Sequence, residues 1–155
     1  MRAWRIGKAA NVSELTGAGA ALYGGRWNHP DRPALYLGLS TASCALDTFM
    51  LAGHVPCLPL KLVELQLPDD PALYNEPNLQ QLPEGWDALP ADKASMDFGT
   101  AWLERTEHLG LILPSATMDQ TRCLMINPKH PAMKQVTILQ STDFIYGLAR
   151  ARVAY

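Results

Sequence analysis

Clustered positive charge is missing from this sequence. Its 155 residues hold 13 Lys and Arg against 15 Asp and Glu, a formal net charge of -2. The nearest thing to a basic tract, Arg150-Ala151-Arg152, is too short to grip a phosphate backbone. Direct nucleic-acid binding is therefore excluded as the expectation, because such binding draws its affinity from a basic footprint. Cysteine is nearly as scarce. Cys44, Cys57 and Cys123 are odd in number and stand in no Cys-x-x-Cys or Cys/His spacing. That argues against a disulfide framework and a thiolate metal site, and predicts reduced core thiols. No apolar run nears the ~20 residues that span a bilayer, and Met1-Arg2-Ala3-Trp4-Arg5 has no apolar signal core. The expectation is a soluble cytoplasmic protein without membrane attachment and without a metal. Internal repeats and low-complexity segments are also lacking.

What is present is an ordinary globular composition, 48% hydrophobic and 18% charged, over a length that buries one proper core. Alternation at residues 2–6 predicts a first strand with Arg2, Trp4 and Ile6 on one face and Ala3 and Arg5 on the other. Residues 11–22, with Gly17 and Gly19 among small side chains, read as a loop with one helical turn. Residues 34–39 form a short apolar strand. Ser40 caps a helix over 41–52 that stops at Gly53, with Ala42, Ala45, Leu46, Phe49 and Met50 as its apolar stripe. Strands follow at 60–67, 111–113, 121–126, 136–140 and 144–146, with a second helix from Ser95 to Gly110. Residues 68–92 read as irregular connection pinned by Trp86.

One stretch is dense in special residues: Leu22-Tyr23-Gly24-Gly25-Arg26-Trp27-Asn28-His29-Pro30. Paired glycines let a backbone approach another group closely, and the guanidinium of Arg26 is a planar fork suited to phosphate oxygens. A tight turn with a surface arginine and a core tryptophan explains the same residues equally well. Tyr36 points opposite to Leu35 and Leu37, as a half-buried core ring or as a site residue. Asp47 lies off the helix stripe, as a solvated acid or as the wall of a cleft. Ser115 sits at a strand exit without the Gly-x-Ser-x-Gly context of a hydrolase nucleophile. His130, between two prolines, has no carboxylate partner in the pattern and reads as structural.

Taken together, Tyr23-Gly24-Gly25-Arg26-Trp27-Asn28, Leu35-Tyr36-Leu37, Ala45-Leu46-Asp47, Leu113-Pro114-Ser115-Ala116 and Ile126-Asn127-Pro128-Lys129-His130-Pro131 resemble the RES-domain family. These are toxins of bacterial toxin–antitoxin pairs, encoded beside Xre-type antitoxins. The resemblance runs from Trp4-Arg5 to about Ile145. It implies a single α+β domain over residues 1–155, similar to the ADP-ribosyltransferase toxin fold, with central mixed or antiparallel sheets flanked by short helices. It implies NAD as substrate and a cognate Xre-type antitoxin as partner. Carried over by position, Arg26, Asp47 and Ser115 are the catalytic set, and Arg5, Arg26, Tyr36 and Ser115 contact NAD. Asp47 stands where the family has Glu, and Cys123-Leu124 where members usually show Asn-Tyr.

The chemistry accounts for these residue types. Breaking the nicotinamide–ribose bond passes through an oxocarbenium-like state, which a fixed carboxylate stabilises, while Arg26 would hold the pyrophosphate and Tyr36 stack on nicotinamide. Water or phosphate then captures the sugar cation. The resulting expectation is an NAD-consuming toxin acting by hydrolysis or phosphorolysis. Two alternatives stand beside it: mono-ADP-ribosylation of a host protein acceptor, and a weakly active module that binds its antitoxin and regulates the operon. A homodimer through the apolar C-terminal half is a further expectation.

Overall fold

The computed structural model describes residues 1–54, 56 and 59–147. Strands β1 (Arg2–Lys8), β2 (Leu35–Gly38), β3 (Leu60–Gln66), β4 (Tyr74–Asn75), β5 (Gly110–Pro114), β6 (Arg122–Ile126) and β7 (Thr137–Phe144) form one sheet in the order β4-β5-β6-β2-β1-β3-β7. Only β4 and β5 pair in parallel, which makes the sheet mixed. Helices α1 (Ala18–Tyr23), α2 (Thr41–Ala52) and α3 (Lys93–Arg105) complete the α+β fold expected from the sequence.

Side-chain alternation along the strands gives the sheet two different faces. One is a continuous core of Ala3, Leu35, Leu37, Val63, Leu65, Leu124 and Ile126. The other carries two separate clusters. Trp27, Leu111, Leu113 and Met125 pack with Trp102 and Leu103 of α3, and Ile6 and Leu60 pack with Cys44 of α2. The register fixes a row across this second face: Leu113 opposite Cys123, Cys123 opposite Gly38, Gly38 opposite Trp4.

Helix α2 sits on that row, and it does so on a different side from the one its apolar stripe predicts. Its buried residues are Ser43 and Cys44, while Ala42 and Met50 are exposed. The reason is Gly38: a methyl group there would fall 2.8 Å from Cys44 Cβ, so the missing side chain lets the 43–44 edge of the helix descend onto the sheet. Cys44 Sγ then donates to the Trp4 carbonyl at 3.5 Å. The Ser40 cap and Gly53 stop occur as expected, with Ser40 Oγ accepting from the Ser43 amide at 3.1 Å.

Helix α3 starts two residues earlier than Ser95 because Asp92 is the cap, its carboxylate accepting from the Lys93 amide. It ends at Thr106, where the backbone turns left-handed, so Leu109 belongs to the run into β5 and not to the helix. The two expected C-terminal strands are one strand, β7, which crosses a bulge at Glu64/Leu65 of β3. Residues 68–92 contain short 3-10 turns and β4, and Trp86 does pin them: its ring stacks on Trp27, centroids 6.1 Å apart. Cys44 and Cys123 are unpaired thiols, whereas Cys57 and the Arg150-Ala151-Arg152 tract lie outside the described residues.

Candidate active site

The Gly-Gly-Arg-Trp-Asn stretch is a closed turn. Gly25 and Asn28 pair across it, the Gly25 amide donating to the Asn28 carbonyl at 3.0 Å, so Arg26 and Trp27 occupy the two corner positions. Trp27 goes inward, 1% exposed, between Trp86 and Phe98. Arg26 stays half-buried beside it. Gly24 has φ 74°, the left-handed backbone that glycine tolerates best, and it caps α1.

Arg26 Nη1 donates to the carbonyls of Trp86 at 3.1 Å and Ala88 at 2.8 Å. This nitrogen therefore holds the 86–88 loop, and three of the five guanidinium N–H donors remain for a ligand. Partial burial lowers the Arg26 pKa, while Cys123, Asp87 and Tyr36 push it back up. Arginine keeps its charge under any such shift.

Tyr36 lies on the same sheet face, opposite Met125 in register. Its hydroxyl donates to Asn28 Oδ1 at 2.6 Å and accepts from the Trp27 amide at 3.1 Å. Burial drives its pKa far above the ordinary phenol value. With the oxygen engaged on both sides, the ring can contribute a flat apolar surface but not a mobile proton.

Asp47 is brought inward by the same rotation of α2 that buries Cys44, since it lies one turn further along that edge. It is half-buried and accepts from Ser115 Oγ at 3.3 Å. Burial raises its pKa and the Ser115 hydrogen bond opposes that rise. Ser115, 6% exposed, follows β5 on the Leu113 side, and its oxygen also accepts from the Thr117 amide at 3.2 Å. A hydroxyl that donates to a carboxylate and accepts from an amide is a fixed holder for that carboxylate. Cys123 feels both Asp47 and Arg26, and burial with Asp47 pushes its pKa up to about 12, so it stays a thiol.

Arg26, Tyr36, Asp47 and Ser115 are thus assembled on one face, and Arg5 is not with them. It alternates onto the Ala3 and Val63 face, where Nη1 donates to the carbonyls of Glu14 at 2.6 Å and Val12 at 3.2 Å. Arg5 Nη1 thereby staples the 12–14 turn. Burial lowers the Arg5 pKa, and the nearby Glu14 carboxylate opposes that. His130 is structural as read, its Nδ1 accepting from the Ala132 amide at 3.1 Å. Open grooves of about 460 and 440 Å³ occur near Met133 and near Ile112, and neither is lined by the four assembled residues. Among the described residues no group of three His, Cys, Asp or Glu could hold a metal, and no helix is long and apolar enough to cross a membrane.

Two contributors escaped the sequence reading. Asn28 was legible as a turn residue but not as the acceptor for Tyr36. Gly99, in the middle of α3, abuts Trp27, and a lone glycine inside a helix was the signal for such a close approach.

One face of the α+β sheet thus carries an arginine with unspent guanidinium donors, a largely buried tyrosine ring and a carboxylate held by a serine. The RES domain model matches residues 2–147. The chain is 35% identical over 149 residues, 92% of each chain, to the Prs ADP-ribosylating toxin of Sphingobium sp. (strain YBL2). It is 35% identical over 124 residues to Toxin Res of Yersinia enterocolitica, covering 79% of this chain and 80% of the relative. The crystal structure of the M. tuberculosis MbcT-MbcA toxin-antitoxin complex has a chain of the same fold, with a TM-score of 0.75 at 22% identity over 99% of this chain and 89% of that one. The protein belongs to the RES-domain toxins.

Proposed function

We propose that this toxin consumes NAD by breaking the nicotinamide–ribose bond. The observation that carries the reading is the Ser115–Asp47 hydrogen bond, which fixes a carboxylate from α2 on the sheet face shared by Arg26 and Tyr36. In the reaction the bond between the ribose carbon and the ring nitrogen breaks, and its electron pair leaves with neutral nicotinamide. Positive charge develops on the sugar, and an ionised Asp47 stabilises it because the group is already oriented when the charge appears. The free donors of Arg26 hold the pyrophosphate, and the Tyr36 ring lies against the nicotinamide. Water or inorganic phosphate then bonds to the sugar carbon, water losing a proton to solvent.

A second reading keeps the bond cleavage and changes the acceptor. The Sphingobium relative is named an ADP-ribosylating toxin and matches 92% of both chains, so transfer to a protein side chain uses the same first step. An antitoxin covering this face is the partner we infer, supported by the fold neighbour having been solved as a toxin–antitoxin complex.

The test is to incubate purified protein with NAD, with and without phosphate and with and without bacterial lysate, and to follow nicotinamide release and the fate of labelled ADP-ribose. Release that Arg26→Ala reduces by at least roughly a hundredfold is expected. Label accumulating on one lysate protein selects the transfer reading, and no release above that of Arg26→Ala ends both.

A further inference from the structure

We propose that Asn28 is the positioning residue of this site, setting the Tyr36 ring against the turn that carries Arg26. The inference rests on the NAD reading for its kinetic consequence, though not for its geometry. Asn28 is 0% exposed, which for a primary amide demands a full set of partners. It has them. The two Nδ2 hydrogens are shared among three carbonyls, those of Ala20 at 2.9 Å and Arg32 at 2.9 Å and, more distantly, that of His29 at 3.1 Å. Oδ1 accepts from the Tyr36 hydroxyl at 2.6 Å. The Asn28 backbone closes the turn through Gly25, and the Tyr36 hydroxyl returns to that turn by accepting from the Trp27 amide.

One side chain therefore joins α1, the 29–32 loop, the Arg26 turn and strand β2. Gly25 completes the fit, since a methyl group there would lie 2.9 Å from the Tyr36 hydroxyl oxygen and 2.8 Å from Asn28 Oδ1. No other side chain of this size supplies both donors for the carbonyls and an acceptor for the phenol: aspartate lacks the donors and leucine lacks both. Tyr36 touches the substrate in this reading, and Asn28 does not. Asn28 acts only by fixing where the ring stands relative to Arg26, and a displacement on the order of 1 Å costs roughly a hundredfold in rate.

The experiment is a double-mutant cycle of Asn28→Ala and Tyr36→Phe in the full chain, read by nicotinamide release and by NMR of selectively labelled tyrosine. Each single variant is expected to lower kcat by about tenfold to a hundredfold. The double variant should be no slower than the worse single one, because both changes break the same hydrogen bond. In Asn28→Ala the Tyr36 ring signals should move while those of Tyr74 stay in place. Multiplicative losses, or a Tyr36 signal unchanged by Asn28→Ala, overturn the proposal. If Asn28→Ala does not fold, Tyr36→Phe decides alone: it keeps the ring and removes only the hydroxyl, so unchanged kcat overturns the proposal. If the unmodified protein releases no nicotinamide, the NAD reading has failed, and the tyrosine signals still decide the role of Asn28.

Discussion

At Asp47 burial and chemistry act in opposite directions. The fold raises its pKa by desolvation, more than the Ser115 hydroxyl lowers it, yet stabilising a sugar cation requires the ionised form. A carboxyl whose folded pKa is raised binds more protons in the native than in the unfolded state between the two values. Stability therefore falls as pH rises through that window and stays lower above it. Asp47→Asn keeps an acceptor for Ser115 and removes the buried charge. We expect it to abolish nicotinamide release while melting above the unmodified protein near neutral pH. The melting difference should close below the ordinary aspartate value of about 4, where both forms are neutral. In the unmodified enzyme, release should fall with decreasing pH at a value above that ordinary one. Melts of the two proteins across this range check the sign, and an Asp47→Asn protein that melts lower at neutral pH contradicts the desolvation argument.

Among the elements, α2 and α3 each owe their placement to a glycine at the contact, on the facing strand for α2 and within the helix for α3. Gly38 lets Cys44 descend and so turns Asp47 inward; Gly99 lets α3 meet Trp27. A methyl group at Gly99 would fall 1.9 Å from the Trp27 carbonyl oxygen, inside any tolerable contact. Gly99→Ala gains about 1 kcal/mol of helix propensity but must push α3 off the Arg26 turn, and overpacking of this kind costs about 1–3 kcal/mol. Against backbone the larger figure applies, so net destabilisation is expected, seen as a lower denaturant midpoint at unchanged slope. An unchanged midpoint would show that α3 floats on Trp27. Strands and the α2 cap were legible because alternation and a serine before a helix are local signals. The side of α2 that is buried was not, because its apolar stripe is nearly matched by small residues and the choice is made by Gly38, on another element. Nor was the extent of α3, set by Asp92 and by the left-handed Thr106.

On the scale of the molecule, the sheet order gathers residues 26, 36, 47 and 115 from four separate segments, so ligand binding should stabilise the whole fold. With Asp47→Asn protein, which on the proposed mechanism leaves NAD intact, NAD at about 100 times its Kd should add about 2.7 kcal/mol. For a chain of this size that is a rise in Tm of roughly 5–10 °C. Adding Arg26→Ala should abolish the rise at the same concentration. A full shift without Arg26 would place NAD elsewhere on the protein.

The sequence by itself determined the α+β alternation of elements, the turn at Arg26, the family and the residue types of the site. All of these depend on spacing, caps and short motifs, which act within a few residues. Only the tertiary structure decided that Arg5 faces away, that part of the Arg26 fork is spent on the carbonyls of Trp86 and Ala88, that Ser115 holds Asp47, and that Asn28 holds Tyr36. Those outcomes depend on strand register and on which helix edge a glycine admits, and contacts 60 or more residues apart in the chain leave no local pattern. Arg5, whose partners are 7 and 9 residues away, and Asn28 are near in the chain and still owe their contacts to register; Asn28 shows why. Its partner is 8 residues away, but the hydrogen bond forms only once β2 is paired into the sheet and the Arg26 turn is closed above it.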